Sequence, residues 1–382
     1  MALDFLTPLN DDILDFVNDL SSQHLGSKVV FHTKNDFPDI KKIKIAIVGV
    51  LENRGDASAN FEVNLDFIRK ELYSLYPGNW NATIADFGDL LPGDSKEDTY
   101  FALQKIGSFL IKNGIVPIII GGSQDLTYPL YRAYDNLDQM VNLVSVDSKF
   151  DFGRENQEIS VKSYLSQIIA EEPNNLFNFS NIGFQTYYNS QEEIDLIDKL
   201  YFEAIRLGQV SNDSSIVEPI FRDADLISLD LNSVMSSYSA NFVNFEPNGF
   251  SGKEICAISR YAGISDKVSC LGIFNHKNSI QESVLVAQII WYFIEGFHLR
   301  TNDYPYTVKD NYIKYIVTLD EDLIIYKSNI SERWWIEIAF SHNNSNKKEF
   351  KSLFPCDYKD YLMACEGEIP ERWWKAQRKI LT

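Results

Sequence analysis

Ile45-Ala46-Ile47-Val48-Gly49-Val50 is a continuous run of apolar, β-prone residues that includes a glycine near its end. A strand without polar alternation is typical of a parallel sheet that helices cover on both faces. A helical pattern over about 60–76 follows this run. The apolar run and the helical pattern after it together predict the first strand and crossover helix of an α/β fold.

The same alternation of strand and helix patterns continues along the middle of the chain. Further strands are predicted at 82–87, 115–120, 141–146, 181–184, 226–231 and 268–274. Helices are predicted at 98–113, after Thr127, and at 191–208, 252–263 and 279–297. Strands separated by helices indicate βαβ crossovers. Residues 43–300 are therefore predicted to form an α/β domain, with a mostly parallel sheet between two layers of helices.

Two shorter segments flank this domain. Residues 1–42 contain an amphipathic helix and are predicted to be a helical extension that packs on the main domain. Residues 301–382 are predicted to form a small α+β extension of short strands followed by helices. The strands are expected at 315–319, 323–326 and 334–340, with turns at 320–322 and 328–331, and the helices at 357–364 and from Pro370.

The C-terminal extension is rich in tryptophan. The string Glu-Arg-Trp-Trp occurs twice and supplies Trp334, Trp335, Trp373 and Trp374. Tryptophan is usually buried, which favours packing inside the extension. It is also enriched at binding hot spots, so the same four residues are candidates for a partner surface. The pattern leaves both interpretations open.

Composition excludes several functional classes. The 382 residues carry 35 Lys+Arg against 54 Asp+Glu, a net charge of −19, and no basic stripe, so we expect no nucleic-acid partner. The first residues lack the basic and apolar regions of a signal peptide, and no apolar run is long enough for a membrane span. The four cysteines are widely spaced and form no CxxC pair, which indicates reduced thiols. We expect a cytoplasmic protein.

Three predicted strands end in unusually polar segments. These are Gly121-Gly122-Ser123-Gln124-Asp125, Asp147-Ser148-Lys149-Phe150-Asp151 and Asp230-Leu231-Asn232. Because ligands bind at the carboxyl ends of the strands in open parallel sheets, these segments are the candidate site.

In these segments the chain resembles the ureohydrolase superfamily of arginase, agmatinase and formimidoylglutamase. Members of that superfamily carry strand ends that read Gly-Gly-Asp-His-Ser, Asp-Ala-His-x-Asp and Ser-x-Asp-x-Asp, in this order. Further similarity lies in Asn53-Arg54-Gly55 and Asp86-Phe87-Gly88-Asp89. The resemblance covers roughly residues 40–300. It implies an arginase-like α-β-α sandwich, and two Mn²⁺ ions that ionise a water for attack on a guanidino or formimino carbon.

The resemblance also implies six metal-ligand positions. Carried over one by one, they are Gln124, Asp147, Lys149, Asp151, Asp230 and Asn232. Only the three aspartates match, because both ligand histidines of the superfamily are replaced. Asn275 stands where superfamily members usually carry a glutamate that orients the departing group of the substrate.

Two hypotheses follow. In the first, Lys149 fills the place of the second metal and forms a salt bridge with Asp147 and Asp230. The chain would then be a non-catalytic protein without a cofactor or metal, acting as a binding or scaffold subunit through a protein partner or self-association. In the second, the chain is a divergent hydrolase of a C–N bond in a linear amidine, similar to formimidoylglutamase. It would hold one Mn or Mg ion with Gln124, Asp147, Asp151 and Asp230.

Overall fold

A ten-stranded sheet forms the centre of the protein. The computed structural model describes residues 2–59, 61–137, 139–153, 158–242, 245–305, 311–319, 322–341 and 349–381. The strands are β1 (Leu6–Thr7), β2 (Val30–Phe31), β3 (Ile43–Val50), β4 (Thr83–Leu90), β5 (Val116–Gly121), β6 (Val141–Val146), β7 (Leu176–Phe184), β8 (Glu203–Arg206), β9 (Leu226–Asp230) and β10 (Cys270–Phe274). Their order is β1-β4-β3-β5-β10-β9-β6-β7-β8, and β2 also pairs with β4. Within this sheet only β1 runs antiparallel to its neighbour.

Helices cover both faces of the sheet. They are α1 (Asp11–Asn18), α2 (Asp66–Ser74), α3 (Lys96–Lys112), α4 (Thr127–Arg132), α5 (Tyr164–Ala170), α6 (Gln191–Lys199), α7 (Leu207–Asn212), α8 (Glu218–Asp223), α9 (Ser236–Ser239), α10 (Gly252–Ile264), α11 (Ile280–His298), α12 (Tyr358–Cys365) and α13 (Glu371–Leu381).

Two hydrophobic cores separate the layers, and alternate residues of β3 belong to each. Ile45 and Ile47 point into the core that α2, α10 and α11 cover. Ala46 and Val48 point into the opposite core, which α3, α4 and α5 cover. This alternation follows from the two-residue repeat of a strand. The predicted three-layer α/β architecture is confirmed.

One predicted helix is wrong. The segment 191–208 is divided into α6, β8 and the start of α7. Tyr201 adopts a positive φ of 55° just after α6, which a continuing helix does not permit. The residues that follow pair in parallel with β7 at the edge of the sheet. Sheet pairing, a long-range interaction, therefore overrides the local helical pattern.

The C-terminal extension contains a separate antiparallel sheet, as predicted, but with four strands rather than three. They are β11 (Tyr312–Thr318), β12 (Asp322–Ser328), β13 (Trp334–Ser341) and β14 (Glu349–Cys356). The sequence prediction missed β14, which contains Pro355 and lies at the sheet edge, where proline is tolerated. The predicted turn at 320–322 falls mainly on residues 320 and 321, outside the described residues.

The Trp334 ring packs in the core of the extension, and the Trp335 ring packs against Arg222 of the main domain. Arg222 of α8 donates a 2.7 Å hydrogen bond to the carbonyl of Trp334, and its guanidinium carbon lies 4.8 Å from the ring centre of Trp335. Trp335 is fully buried and Trp334 is 8% exposed. The prediction of a partner surface is therefore wrong for these two residues, because their rings are core. Trp373 is partly buried, and Trp374 is 41% exposed.

Among the helices that the structure describes, none has both the length and the apolar content needed to cross a membrane.

Candidate functional site

The candidate site lies where four neighbouring strands end. β5, β10, β9 and β6 are adjacent in the sheet and parallel, so their carboxyl ends meet at one edge. A cavity of about 590 Å³ opens there. Asn275 and all but one of the six metal-ligand positions line it: Gln124, Lys149, Asp151, Asp230, Asn232 and Asn275. The remaining residue, Asp147, is buried and interacts electrostatically with Asp151 and Asp230.

Three aspartates crowd the floor of the cavity. Burial, followed by the charges of Asp151 and Asp230, holds the pKa of Asp147 well above its usual range. Burial and the charge of Asp230 raise the pKa of Asp151 to about 7, although this residue keeps partial access to the cavity. Burial also raises the pKa of Asp230. The cause that these three shifts share is burial, which disfavours the charged form of each carboxyl group.

Few donors compensate this charge. Asp147 Oδ1 accepts a 2.9 Å hydrogen bond from the backbone amide of Lys149. Asp230 Oδ1 accepts from the backbone amide of Asn232 at 2.8 Å and from Asn275 Nδ2 at 2.7 Å. Asp147 Oδ2 and Asn275 Oδ1 are buried and find no donor among the described residues. Two oxygen atoms are therefore left unsatisfied beside the cluster, which is costly unless something binds them.

The predicted salt bridge of Lys149 is absent. Its ammonium group forms no ion pair with any described residue and lies 5.3 Å from the centre of the Tyr188 ring. The Lys149 side chain is exposed on the cavity wall. The prediction is wrong because Lys149 meets Asp147 through its backbone amide, while its ammonium group lies over the Tyr188 ring. In the part of the chain that the structure describes, no cation therefore lies close enough to these aspartates for an ion pair, although the charge of Lys149 acts on Asp151 and Asp230 at longer range.

Gln124 is buried among hydroxyl groups. Its amide nitrogen lies 3.3 Å from the Tyr164 hydroxyl, and 3.4 Å from the hydroxyls of Ser145 and Ser228. These serines occupy interior positions of the strands β6 and β9, which are otherwise largely apolar. Polar residues inside buried strands are a sequence signal that identifies this hydroxyl cluster, and the sequence analysis did not use it.

The cavity walls carry functional groups that the sequence analysis missed. One wall comes from the loop after β3 and includes Asp56. The others include Lys162, Tyr188 and Glu246. These residues lie on loops far apart in sequence, and no spacing pattern connects them. Only the folded chain brings them to one cavity.

A sequence model of the Arginase family matches residues 56–291, which is more than half of the chain. The chain therefore belongs to the Arginase family.

Solved structures share the fold. Formiminoglutamase of Trypanosoma cruzi with Mn²⁺ has a TM-score of 0.61 and 16% identity, and the match covers 69% of this chain and 97% of that one. Formimidoylglutamase of Bacillus subtilis has a TM-score of 0.59 and 14% identity, with coverage of 70% and 91%. Agmatine ureohydrolase of Thermoplasma volcanium has a TM-score of 0.55 and 17% identity, with coverage of 74% and 97%. No curated protein gave a significant sequence match.

These findings correct the expectation of a chain without a cofactor. The family is that of arginase, and the formiminoglutamase of Trypanosoma cruzi was solved with Mn²⁺, so a metal cofactor is now the expectation. The residues present fit such an ion in their chemistry. Carboxylate and amide oxygens are hard ligands suited to Mn²⁺ or Mg²⁺, and Asp147 Oδ2 is unsatisfied.

The candidate ligand residues fit one metal ion rather than two. Lys149 and Asn232 supply no negative charge at the remaining ligand positions that the resemblance implies. In the described part of the chain, no three His, Cys, Asp or Glu side chains already form a group that could hold a metal. The aspartate side chains therefore have to close around an ion for it to bind.

Proposed function

We propose that the protein is a hydrolase of a C–N bond in a linear amidine, and that it works with one divalent cation at the aspartate cluster. The observation that carries the proposal is three poorly compensated aspartates at the floor of an open cavity of about 590 Å³. A site that had only a structural role would be expected to fill this space or pair these charges.

In this proposal Asp147, Asp151 and Asp230 hold the cation. A bound divalent ion supplies Lewis-acid activation of water and of the amidine. Asn275 orients Asp230 through its 2.7 Å hydrogen bond. The reaction adds the oxygen of water to the amidine carbon and releases the departing nitrogen as an amine. The open cavity admits the substrate to Asp151 and Asp230, which line it.

The second candidate function is a non-catalytic binding subunit. The substitutions at Lys149, Asn232 and Asn275 favour it, because the resemblance implies functional groups at all three positions. A protein partner, self-association and a cytoplasmic location belong to this candidate as well. Trp374, which is exposed on the C-terminal extension, is then a residue to test for contact with the partner.

Metal content separates these possibilities. We expect about one manganese per chain by mass spectrometry after dialysis against Mn²⁺ and then buffer, and a loss of this metal in Asp230→Asn. Asp213→Asn is a matched control on the remote surface, because Asp213 pairs with Lys359 away from the cavity. Two ions per chain, or metal retained in Asp230→Asn, would contradict the single-ion site.

Activity is the second measurement. The Mn²⁺-loaded protein should release ammonia, formamide or urea from a panel of formimino and guanidino compounds, and Asp230→Asn should not. One bound ion without turnover on any of these compounds would refute the hydrolase and leave the binding subunit as the better account.

A further inference from the structure

A second cavity lies at the C-terminal extension, and its volume is about 750 Å³. Among the described residues, it shares none of its lining with the cavity at the strand ends. All but two of its lining residues lie beyond residue 291, where the match to the Arginase family model ends. Pockets that bind small molecules usually span about 300–1,000 Å³ and combine aromatic walls with a few polar groups. The second cavity therefore has the size of a ligand site that family membership does not explain.

Four aromatic rings in mutual contact line this cavity. The ring centre of Trp334 lies 5.0 Å from that of Tyr361 and 5.3 Å from that of Tyr315. Tyr358 stacks on Tyr361 with ring centres 5.9 Å apart and planes inclined by 26°. Trp334 is core and supports the tyrosines, whereas Tyr358 is 53% exposed. The cluster therefore presents an aromatic face to which a ligand has access.

The charged side chains of this lining are balanced. Glu218 pairs with both arginines of the cavity, Arg222 and Arg333. In all, the lining has three acidic and three basic residues, which are Glu218, Glu332, Asp357, Arg222, Lys327 and Arg333. A chain with a net charge of −19 thus surrounds this cavity with no net formal charge. Such a lining favours a neutral ligand, because recognition of an ion depends on an excess of the opposite charge.

Two of these charged side chains keep their capacity for hydrogen bonds. In the described part of the chain, neither Lys327 nor Glu332 forms an ion pair, and the Lys327 ammonium lies 5.7 Å from the centre of the Trp334 ring. An ammonium group only donates hydrogen bonds, and a carboxylate only accepts them. Donor and acceptor groups therefore line the same cavity as an exposed aromatic face. The matching ligand has an apolar face and, at its edge, hydroxyl groups that both donate and accept.

We infer that this cavity binds a neutral carbohydrate, with a sugar ring stacked on Tyr358 and sugar hydroxyls bonded to Lys327 and Glu332. A sugar ring has this combination, because its C–H groups form an apolar face and its hydroxyls lie around the edge. The site goes beyond the proposed function, since its lining and that of the aspartate cavity have no described residue in common. It can bind a sugar whether or not the chain is a hydrolase.

Titration calorimetry of the full chain with trisaccharides of different charge tests this site. The neutral probes are maltotriose, cellotriose and triacetylchitotriose. The charged probes are trigalacturonate, an anion, and the glucosamine trisaccharide at acidic pH, a cation. We expect at least one neutral trisaccharide to bind, and to bind more tightly than both charged ones.

Tyr358→Ala should weaken binding of that neutral trisaccharide by about tenfold, because it removes the stacking ring. Tyr358→Phe keeps the ring and should retain most of the affinity. Tyr76→Ala is the matched control, because Tyr76 is 59% exposed in the main domain and does not line this cavity. This control should bind as the parent does.

Binding should also be unchanged in Asp230→Asn, which alters only the aspartate cavity. Loss of binding in that variant would place the sugar at the aspartates and overturn the inference. It would equally be overturned if no neutral trisaccharide bound, if a charged one bound more tightly, or if Tyr358→Ala bound as tightly as the parent. A chain that binds the trisaccharide but turns over no amidine would refute the hydrolase and leave this site standing.

Discussion

The side-chain amide of Asn275 donates a 2.7 Å hydrogen bond to Oδ1 of Asp230. This contact joins the ends of two neighbouring strands, β10 and β9, beneath the cavity. Asn275 adopts a positive φ of 66°, a conformation that asparagine tolerates better than most residues. A glutamate at this position, which the resemblance implies, would add a further negative charge to the cluster. The amide instead supplies a donor where donors are few.

Removal of this donor should weaken metal binding. In Asn275→Ala the charged form of Asp230 loses its side-chain hydrogen bond, so its pKa should rise further. A hydrogen bond to a charged group contributes about 1–3 kcal/mol, so we expect Mn²⁺ affinity to fall by about tenfold or more in titration calorimetry.

Asn113→Ala provides the comparison for this change, because the Asn113 amide bonds only to a helix carbonyl at the surface. An Asn275→Ala variant that binds Mn²⁺ as tightly as this control would show that the amide has no part in the metal site.

Replacement of Lys149 should scarcely affect stability. A lysine buried in an ion pair with Asp147 and Asp230 would cost about 3–5 kcal/mol to remove. Because the Lys149 side chain is exposed and unpaired among the described residues, we expect Lys149→Ala to change the free energy of unfolding by less than about 0.5 kcal/mol. Urea denaturation of the metal-free protein measures this directly, and a loss of several kcal/mol would restore the salt bridge that the sequence predicted.

Stability of the metal-free protein should fall as pH rises. The pKa of Asp151 is raised by burial from 3.8 to about 7, so between these values the folded state binds its proton more tightly than the unfolded state. Through Asp151 the folded state therefore loses stability as pH rises across this window, and this one contribution levels off above pH 7. Burial also raises the pKa of Glu282 to about 7, so titration of this residue likewise lowers stability as pH rises.

Titration of His276 has the opposite effect on stability, because burial lowers its pKa from 6.5 to about 4. Its contribution to the free energy of unfolding rises with pH and is complete by pH 6.5. The variant Asp151→Asn removes the titration of Asp151 together with the charge that it exerts on Asp147. Urea denaturation in EDTA at pH 5 and pH 7.5 should show a smaller loss of stability in the variant than in the parent. An identical loss in both would show that Asp151 does not titrate in this window.

The stability of the C-terminal extension should depend on one arginine of the main domain. Arg222 is buried and donates to the carbonyls of Trp334 and Cys356. Arg222→Ala removes the donor to both carbonyls and one of the two arginines that pair with Glu218, the other being Arg333, at an expected cost of about 3–5 kcal/mol. Thermal denaturation and the rate of proteolysis within 301–382 should both report this loss.

Arg260→Ala is the matched control for that experiment. Arg260 also pairs with a glutamate, Glu295, but its side chain is 40% exposed. Exposed pairs contribute about 0–1 kcal/mol, so this variant should remain close to the parent. Equal effects of the two substitutions would mean that Arg222 does not hold the extension.

Much of the fold could be predicted from local pattern. Uninterrupted apolar runs such as 45–50 are compatible with few structures other than buried parallel strands, and their alternation with helices limits the topology to βαβ units. The polar segments at 121–125 and 147–151 identified the site, because strand ends in such a sheet converge. By contrast, β8 and β14 were missed, since a strand at a sheet edge depends on partners that are distant in sequence.

The sequence alone determined which strand-end residues reach the floor of the site, and the tertiary structure decided which residues form its walls and which contacts the floor residues make. Asp147 and Lys149 are two residues apart, and sequence predicted an ion pair between them. The fold instead ties the Lys149 amide to Asp147 and turns the ammonium toward Tyr188, a residue of another loop. The physical reason is that residue types and the order of strands and helices along the chain can be read locally. The direction of a side chain depends instead on packing between segments far apart in sequence.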